Sequence, residues 1–174
     1  MSREIIVAPY DAHWSTQFEK EKELLSKIYG DLLLDIQHFG STAVPGLSAK
    51  PVIDILISVK AIAEIDRYDD TMRLHGYTPK GEYGICGRRY FEKTLPDNPD
   101  IHTHHLHIYQ VGNPKIAEEI LFRDYLQENP AACKAYEELK IKLAKQYRFD
   151  PAAYSEGKAA LIAKILQQAK QICL

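Results

Sequence analysis

The residues best suited to chemistry lie in HFGSTAVPGLSAKPVIDILI at 38–57, where a strand-like run enters Gly40-Ser41-Thr42 and a second run carries Asp54. Glycine lets a backbone approach a ligand closely, and successive amides with two hydroxyls can donate to an anion. Lys50 adds a point charge. Alternation along the second strand sets Val52, Asp54, Leu56 and Ser58 on one face and Ile53, Ile55, Ile57 and Val59 on the other. A carboxylate in so apolar a run needs a metal, a cation or hydrogen-bond donors. The plainer reading is a strand connection beside a satisfied structural carboxylate. Neither a P-loop nor a dinucleotide fingerprint fits this spacing.

Four of the seven histidines fall in HTHHLHIY at 102–109. On a strand His105 and His107 share a face, about 7 Å apart at a rise of about 3.3 Å per residue. With Asp54 they could hold a divalent metal such as Mg, Mn or Zn, with Asp54, His105 and His107 as metal and catalytic residues. The alternative is a pair of hydrogen-bonded imidazoles, or neutral donors to a phosphate. His102 and His104 are expected in a loop and on a solvent face.

Arginine suits phosphate because its planar fork donates bidentately. Arg89 is expected in the cleft and shares a face with Phe91 and Lys93, while Arg88, Tyr90 and Glu92 share the other. A surface ion pair is the competing reading for Arg89. Arg123, in LFRDYL at 121–126, is a further ligand candidate. Tyr136 with Lys140, and Tyr154 with Lys158, sit at i and i+4 on one helix face each. Lys140 and Lys158 are candidate phosphate contacts, or solvated lysines beside tyrosines at the core edge.

These residues need elements to hold them. EIIVA at 4–8 reads as an extended entry. Asp11 can cap a helix carrying Trp14, Phe18, Leu25 and Ile28 that Gly30 stops. Strands are expected at 33–39 and 52–59, a helix at 61–75, extended segments at 77–83, 88–95 and 104–111, and a turn-rich loop at 95–102. Three helices open near Pro114, Pro130 and Pro151, where proline fits the first turn. Strands early and helices late give an α+β class with a mixed sheet flanked by helices and a C-terminal helical segment. No linker divides the chain, so residues 1–174 read as one domain.

Composition narrows the partners. With 22 basic and 24 acidic residues the formal charge is -2, which gives no reason to expect nucleic acid. Seven lysines from Lys134 to Lys170 form a local excess suited to an anion or simply to water. Cys86, Cys133 and Cys173 make neither a disulfide framework nor a zinc knuckle, which points to a reducing compartment. No apolar run spans a bilayer, so a cytoplasmic protein with no membrane partner is expected. Leu161, Ile162, Ile165, Leu166 and Ile172 read as core or as a homodimer face.

Gly-Ser after a strand, followed by a strand bearing Asp, resembles the opening signature of the nucleotidyltransferase superfamily. The segments HFGSTAVPGLSAKPVIDILI, RRYFEK, HHLHIY and LFRDYL, in this order, resemble the GrpB family of bacterial proteins. The resemblance implies a nucleotidyltransferase-like core and a nucleotide or other phosphorylated small molecule as ligand. It also allows a metal-dependent nucleotidyl transfer or, alternatively, a non-catalytic module that senses a nucleotide or coenzyme precursor, as in the extra domain of some dephospho-coenzyme A kinases. A second carboxylate, usual two residues after the first, is replaced by Leu56, and His105 and His107 stand where a third is expected.

Overall fold

The computed structural model describes residues 4–172; Cys173 lies outside them. The first helix, α1 (His13–Tyr29), buries Trp14, Phe18, Glu21, Leu25 and Tyr29, a stripe at helical spacing. Asp11 accepts from the His13 amide at 2.8 Å, as a start signal should, and Gly30 ends the helix at φ 48°.

Strands β1 (Leu33–Phe39), β2 (Ile53–Val59), β3 (Tyr77–Pro79), β4 (Arg88–Leu95) and β5 (Asn98–Gln110) form one sheet in the order β1-β2-β5-β4-β3. The central β2–β5 pair is parallel and the other pairs are antiparallel, so the sheet is mixed. Being central, β2 has both faces covered, which explains its nearly continuous apolar sequence. On one face Ile53, Ile55, Ile57, Leu106, Ile108 and Phe91 pack with the buried stripe of α1. Fully burying each such aliphatic side chain contributes about 1.5–3 kcal/mol. The opposite face carries Asp54, His105, His107 and Tyr90.

Helices α3 (Pro114–Glu128), α4 (Pro130–Gln146) and α5 (Pro151–Ile172) begin at the three expected prolines. They meet the 40–51 connection through Val44 and Leu47, which pack with Leu126, Tyr136 and Ile165. Ile165 is therefore core, with Leu161 and Ile162 packed beside it, whereas Ile172 is exposed. The entry segment closes this arrangement. Ala8 bridges Ala49, and Ile5 packs with Leu143 and Tyr154. Among the described residues no helix is long and apolar enough to cross a membrane.

Three expected elements differ. The 61–75 segment is a 3-10 stretch, Ile62–Tyr68, followed by a short α2 (Asp69–Leu74). Ile65 and Met72 are its buried anchors, and two contacts seven residues apart do not demand a regular helix between them. The 95–102 loop is instead the end of a hairpin, in which Leu95 pairs with Asn98 around Pro96-Asp97. β2 reaches β5 only from Ile53↔His104 onward, so residues 98–103 form a two-stranded ribbon with β4 that tolerates Pro99 on its unpaired edge. His102 consequently sits in a strand. The 77–83 segment is a strand only through Pro79; Gly81, Gly84 and Gly87 then turn the chain at positive φ.

Candidate functional site

The turn after β1 brings backbone against a carboxylate. Phe39 pairs with Asp54, and Gly40 follows at φ 71°. A Cβ on Gly40 would lie 2.7 Å from Asp54 Oδ2, so glycine answers both a conformational and a steric demand. Thr42 is buried, its hydroxyl 2.9 Å from His38 Nε2 and 3.4 Å from Val52 O, and it braces the turn from behind. Helix α4 pins the same connection, with Glu137 accepting from the Ser48 amide at 2.8 Å and Lys140 donating to Ser48 O.

Between this turn, the sheet face and the C-terminal helices lies a cleft of 470 Å³. Its walls bring four cations together: Lys50, Arg88, Lys140 and Lys158. Lys140 is buried, with Nζ 4.9 Å from the centre of the Tyr136 ring. Lys50 and Lys158 both approach Tyr154, at 5.1 and 4.5 Å from its ring centre. Burial, reinforced by the charge of Lys158, pulls Lys140 down to about 7. Burial and the charge of Lys50 pull Lys158 down to about 8, against the opposing pull of Asp54. Desolvation penalises the charged form, and an anion in the cleft would oppose that penalty.

Arg88 is held rigidly for an arginine. It donates to Tyr83 O at 2.7 Å and to Glu82 O at 3.2 Å, lies 3.3 Å from His107 Nδ1, and stacks over Tyr90 at 4.7 Å. At the cleft floor Asp54 Oδ1 is 3.4 Å from His105 Nδ1 and 4.0 Å from His107 Nε2. Burial alone would raise the Asp54 pKa. The hydrogen bond from His105, with the pull of His105 and His107 when protonated and of Lys50, outweighs burial and leaves the carboxyl below its ordinary value. His107 is lowered to about 4, chiefly by burial, so it sits here as a neutral imidazole. Glu119 of α3, raised to about 7 by burial and by the charge of Asp54, is a further acid facing this region.

The structure gathers Gly40, Ser41, Thr42, Lys50, Asp54, His105, His107, Lys140 and Lys158 around one cleft. It does not bring Arg89 there. Arg89 pairs with Ile108 on the core side of the sheet and spreads its guanidinium against the Asp66 carboxylate. The alternation was readable, but the face that meets the cleft depends on Tyr90 standing opposite His107, and hence on long-range register. Arg88 takes the place expected of Arg89. Arg123 ties α3 to β1, donating to His38 O at 2.9 Å and Gln37 Oε1 at 3.0 Å, and is not part of the cleft wall. His104, expected toward solvent, is largely buried on the α1 side, 3.9 Å from Glu21, and burial lowers it to about 4. Tyr83, Tyr90, Tyr136 and Tyr154 also line the cleft; the two Tyr–Lys helix pairs were the visible sign of the last two.

Leu56, at the position where a second carboxylate would stand, is buried with Phe39 and Tyr109. Among the described residues, the His, Cys and acidic side chains whose ligand atoms come within 4.8 Å of one another as a group are Glu92, His102 and His105.

Comparison with known proteins adds four findings. A family profile described as GrpB protein matches residues 4–168. The chain is 41% identical to the YqkA protein of Bacillus subtilis over 169 residues, 97% of this chain but 48% of that protein, so it spans about half of YqkA. Among solved structures, the conserved protein GrpB from Enterococcus faecalis superposes with a TM-score of 0.90 at 40% identity, covering 97% of this chain and 100% of that one. A structure of Cid1, which has RNA terminal uridylyl transferase activity, superposes with a TM-score of 0.52 at 12% identity over 76% of this chain and 39% of its own. That last likeness shows a shared nucleotidyltransferase-like fold and nothing about ligands.

Proposed function

Because the chain belongs to the GrpB protein family and has a nucleotidyltransferase-like fold, we propose that it binds a nucleotide or related phosphorylated small molecule in the cleft beside Asp54. One observation carries this reading. Lys50, Lys140, Lys158 and Arg88 converge on a single concavity, and two of the lysines are held there against a desolvation penalty. Like charges gathered in a partly desolvated cleft repel one another, and a phosphate with several charged oxygens offsets that repulsion. Arg88 and the lysines would take the phosphates. Ser41 and the amides of the Gly40 turn would add neutral donors, and Tyr83, Tyr90 and Tyr154 would offer aromatic surface to a base or ribose.

Binding is favoured over transfer by Leu56. Two-metal phosphoryl transfer requires several oxygen ligands bridging two cations. Leu56 supplies none, and it is buried against Phe39 and Tyr109.

Thermal unfolding with ATP, UTP, dephospho-coenzyme A and pyrophosphate, each with and without Mg, Mn or Zn, tests the proposal. A ligand that binds only the folded state raises its stability, by about 2.7 kcal/mol at a hundred times Kd. At least one of these ligands should raise the Tm of the wild-type chain but not of Lys158→Met. No shift across the panel would count against the cleft as a phosphate site. Release of pyrophosphate from a nucleoside triphosphate, lost in Asp54→Asn, would restore the transfer reading.

A further inference from the structure

We infer that Glu92, His102 and His105 form a binding site for a single divalent transition metal of the zinc class, with Asp54 acting behind His105 as its orienting carboxylate. The three ligand residues come from one patch of the β4–β5 hairpin. Glu92 stands directly opposite His105 in the ladder, and His102 opposite Thr94, where an irregularity shifts the register. That shift carries His102 back over its neighbour, so that His102 Nδ1 lies 2.8 Å from His105 Nε2 with the rings nearly perpendicular, 83° apart. The Glu92 carboxylate completes the group, all three within 4.8 Å and all partly buried. Zinc with ligands at about 2.0–2.1 Å has them roughly 3.3 Å apart, so the two imidazole nitrogens must open from 2.8 Å by about half an ångström while Glu92 closes on them.

The proton arrangement favours a metal. His105 turns Nδ1 toward Asp54 Oδ1 at 3.4 Å and Nε2 toward His102. With Nδ1–H donated to Asp54, Nε2 carries the lone pair and accepts from His102 Nδ1–H at 2.8 Å; an ion held by both rings would displace that shared proton. Carboxylate, histidine and metal in series is the usual second-shell arrangement, which fixes the tautomer and raises ligand basicity. Two imidazoles and one carboxylate suit Zn, Co or Mn better than Mg. Lys80 is the competing cation, 3.2 Å from Glu92 Oε2, and must release that oxygen when the ion binds. Three protein ligands leave a coordination position for water or for a ligand oxygen.

This site differs from a set of Asp54, His105 and His107, in which Asp54 would touch the metal itself, and the two sets predict different mutants. The chelator-treated full chain would be titrated with zinc chloride by calorimetry and with cobalt(II) by visible absorption. One ion per chain is expected. His102→Ala and Glu92→Gln should each weaken zinc at least tenfold and bleach the cobalt spectrum, with far-ultraviolet dichroism unchanged. Asp54→Asn should weaken zinc about 10–100-fold while leaving a cobalt spectrum at saturation. Replacement of the exposed His75, which is outside the three-residue group, by Gln should change nothing. His102→Gln serves if the alanine variant does not fold. The inference is overturned if the wild type binds no ion at one per chain. It is equally overturned if His102→Ala and Glu92→Gln bind zinc as the wild type does, or if His107→Gln abolishes binding while His102→Ala retains it.

Discussion

Gly40 and Asp54 are in contact across the β1–β2 pair so closely that a single methyl group on Gly40 would come within 2.7 Å of the Asp54 carboxylate oxygen. The backbone at φ 71° and ψ -171° adds a penalty of about 1–3 kcal/mol for any L side chain. Gly40→Ala should therefore lower stability and, by displacing Asp54, disturb the cleft floor. At this chain length 1 kcal/mol is worth about 2–4 °C in Tm. A calorimetric scan showing no loss for Gly40→Ala would mean that the turn relaxes without cost.

The buried lysines give the stability a characteristic pH dependence. Their folded pKa values, about 7 for Lys140 and about 8 for Lys158, lie below that of an unfolded lysine near 10.4. Between those limits the unfolded chain binds more protons, so this contribution to stability rises with pH through the window and is least favourable below pH 7. Tm measured from pH 6.5 to 10 should show the rise, and Lys140→Met should flatten it. Saturating pyrophosphate should flatten it too, by keeping the lysines charged. A slope unchanged in Lys140→Met would remove that residue from the account.

Neighbouring arginines should behave oppositely. Arg88→Lys removes a fork anchored on Tyr83 O and Glu82 O and facing the cleft, so pyrophosphate affinity should fall about tenfold or more. Arg89→Lys disturbs only a partly exposed pair with Asp66, worth about 0–1 kcal/mol, and should leave affinity unchanged. Isothermal titration of both variants decides this, and a reversed pattern would place the wrong arginine in the cleft.

His38 reports on the brace behind the turn. It stacks on Phe18 with ring centres 4.9 Å apart and is lowered to about 4, chiefly by burial. With a depressed folded value, its contribution is lost as pH falls from about 6.5 to about 4. His38→Gln should reduce the acid sensitivity of Tm in that window, and a scan with the wild-type slope would contradict this.

Much of the site was legible because strand alternation is local. Asp54 among isoleucines, and His105 with His107, declared their shared faces without any tertiary information. Helix starts at Pro114, Pro130 and Pro151 were equally local. What failed depended on pairing between distant segments. The choice between Arg88 and Arg89 rests on β4 lying opposite His107. The contribution of Glu92 and His102 rests on a register shift in a hairpin whose turn residues had suggested a loop. Glu119 reaches the region only through the packing of α3, and nothing in its immediate sequence marks it.

The central claim, that the cleft beside Asp54 holds a phosphorylated small molecule, is tested most directly by calorimetric titration of ATP and of pyrophosphate in the presence of chelator, at low and moderate salt. The wild-type chain should bind at least one of them at one site per chain. Affinity should fall as salt rises, and the Lys140→Met, Lys158→Met double variant should bind at least tenfold more weakly while remaining as stable as the wild type or more so. Absence of saturable binding for both, or equal affinity in the folded double variant, would contradict it.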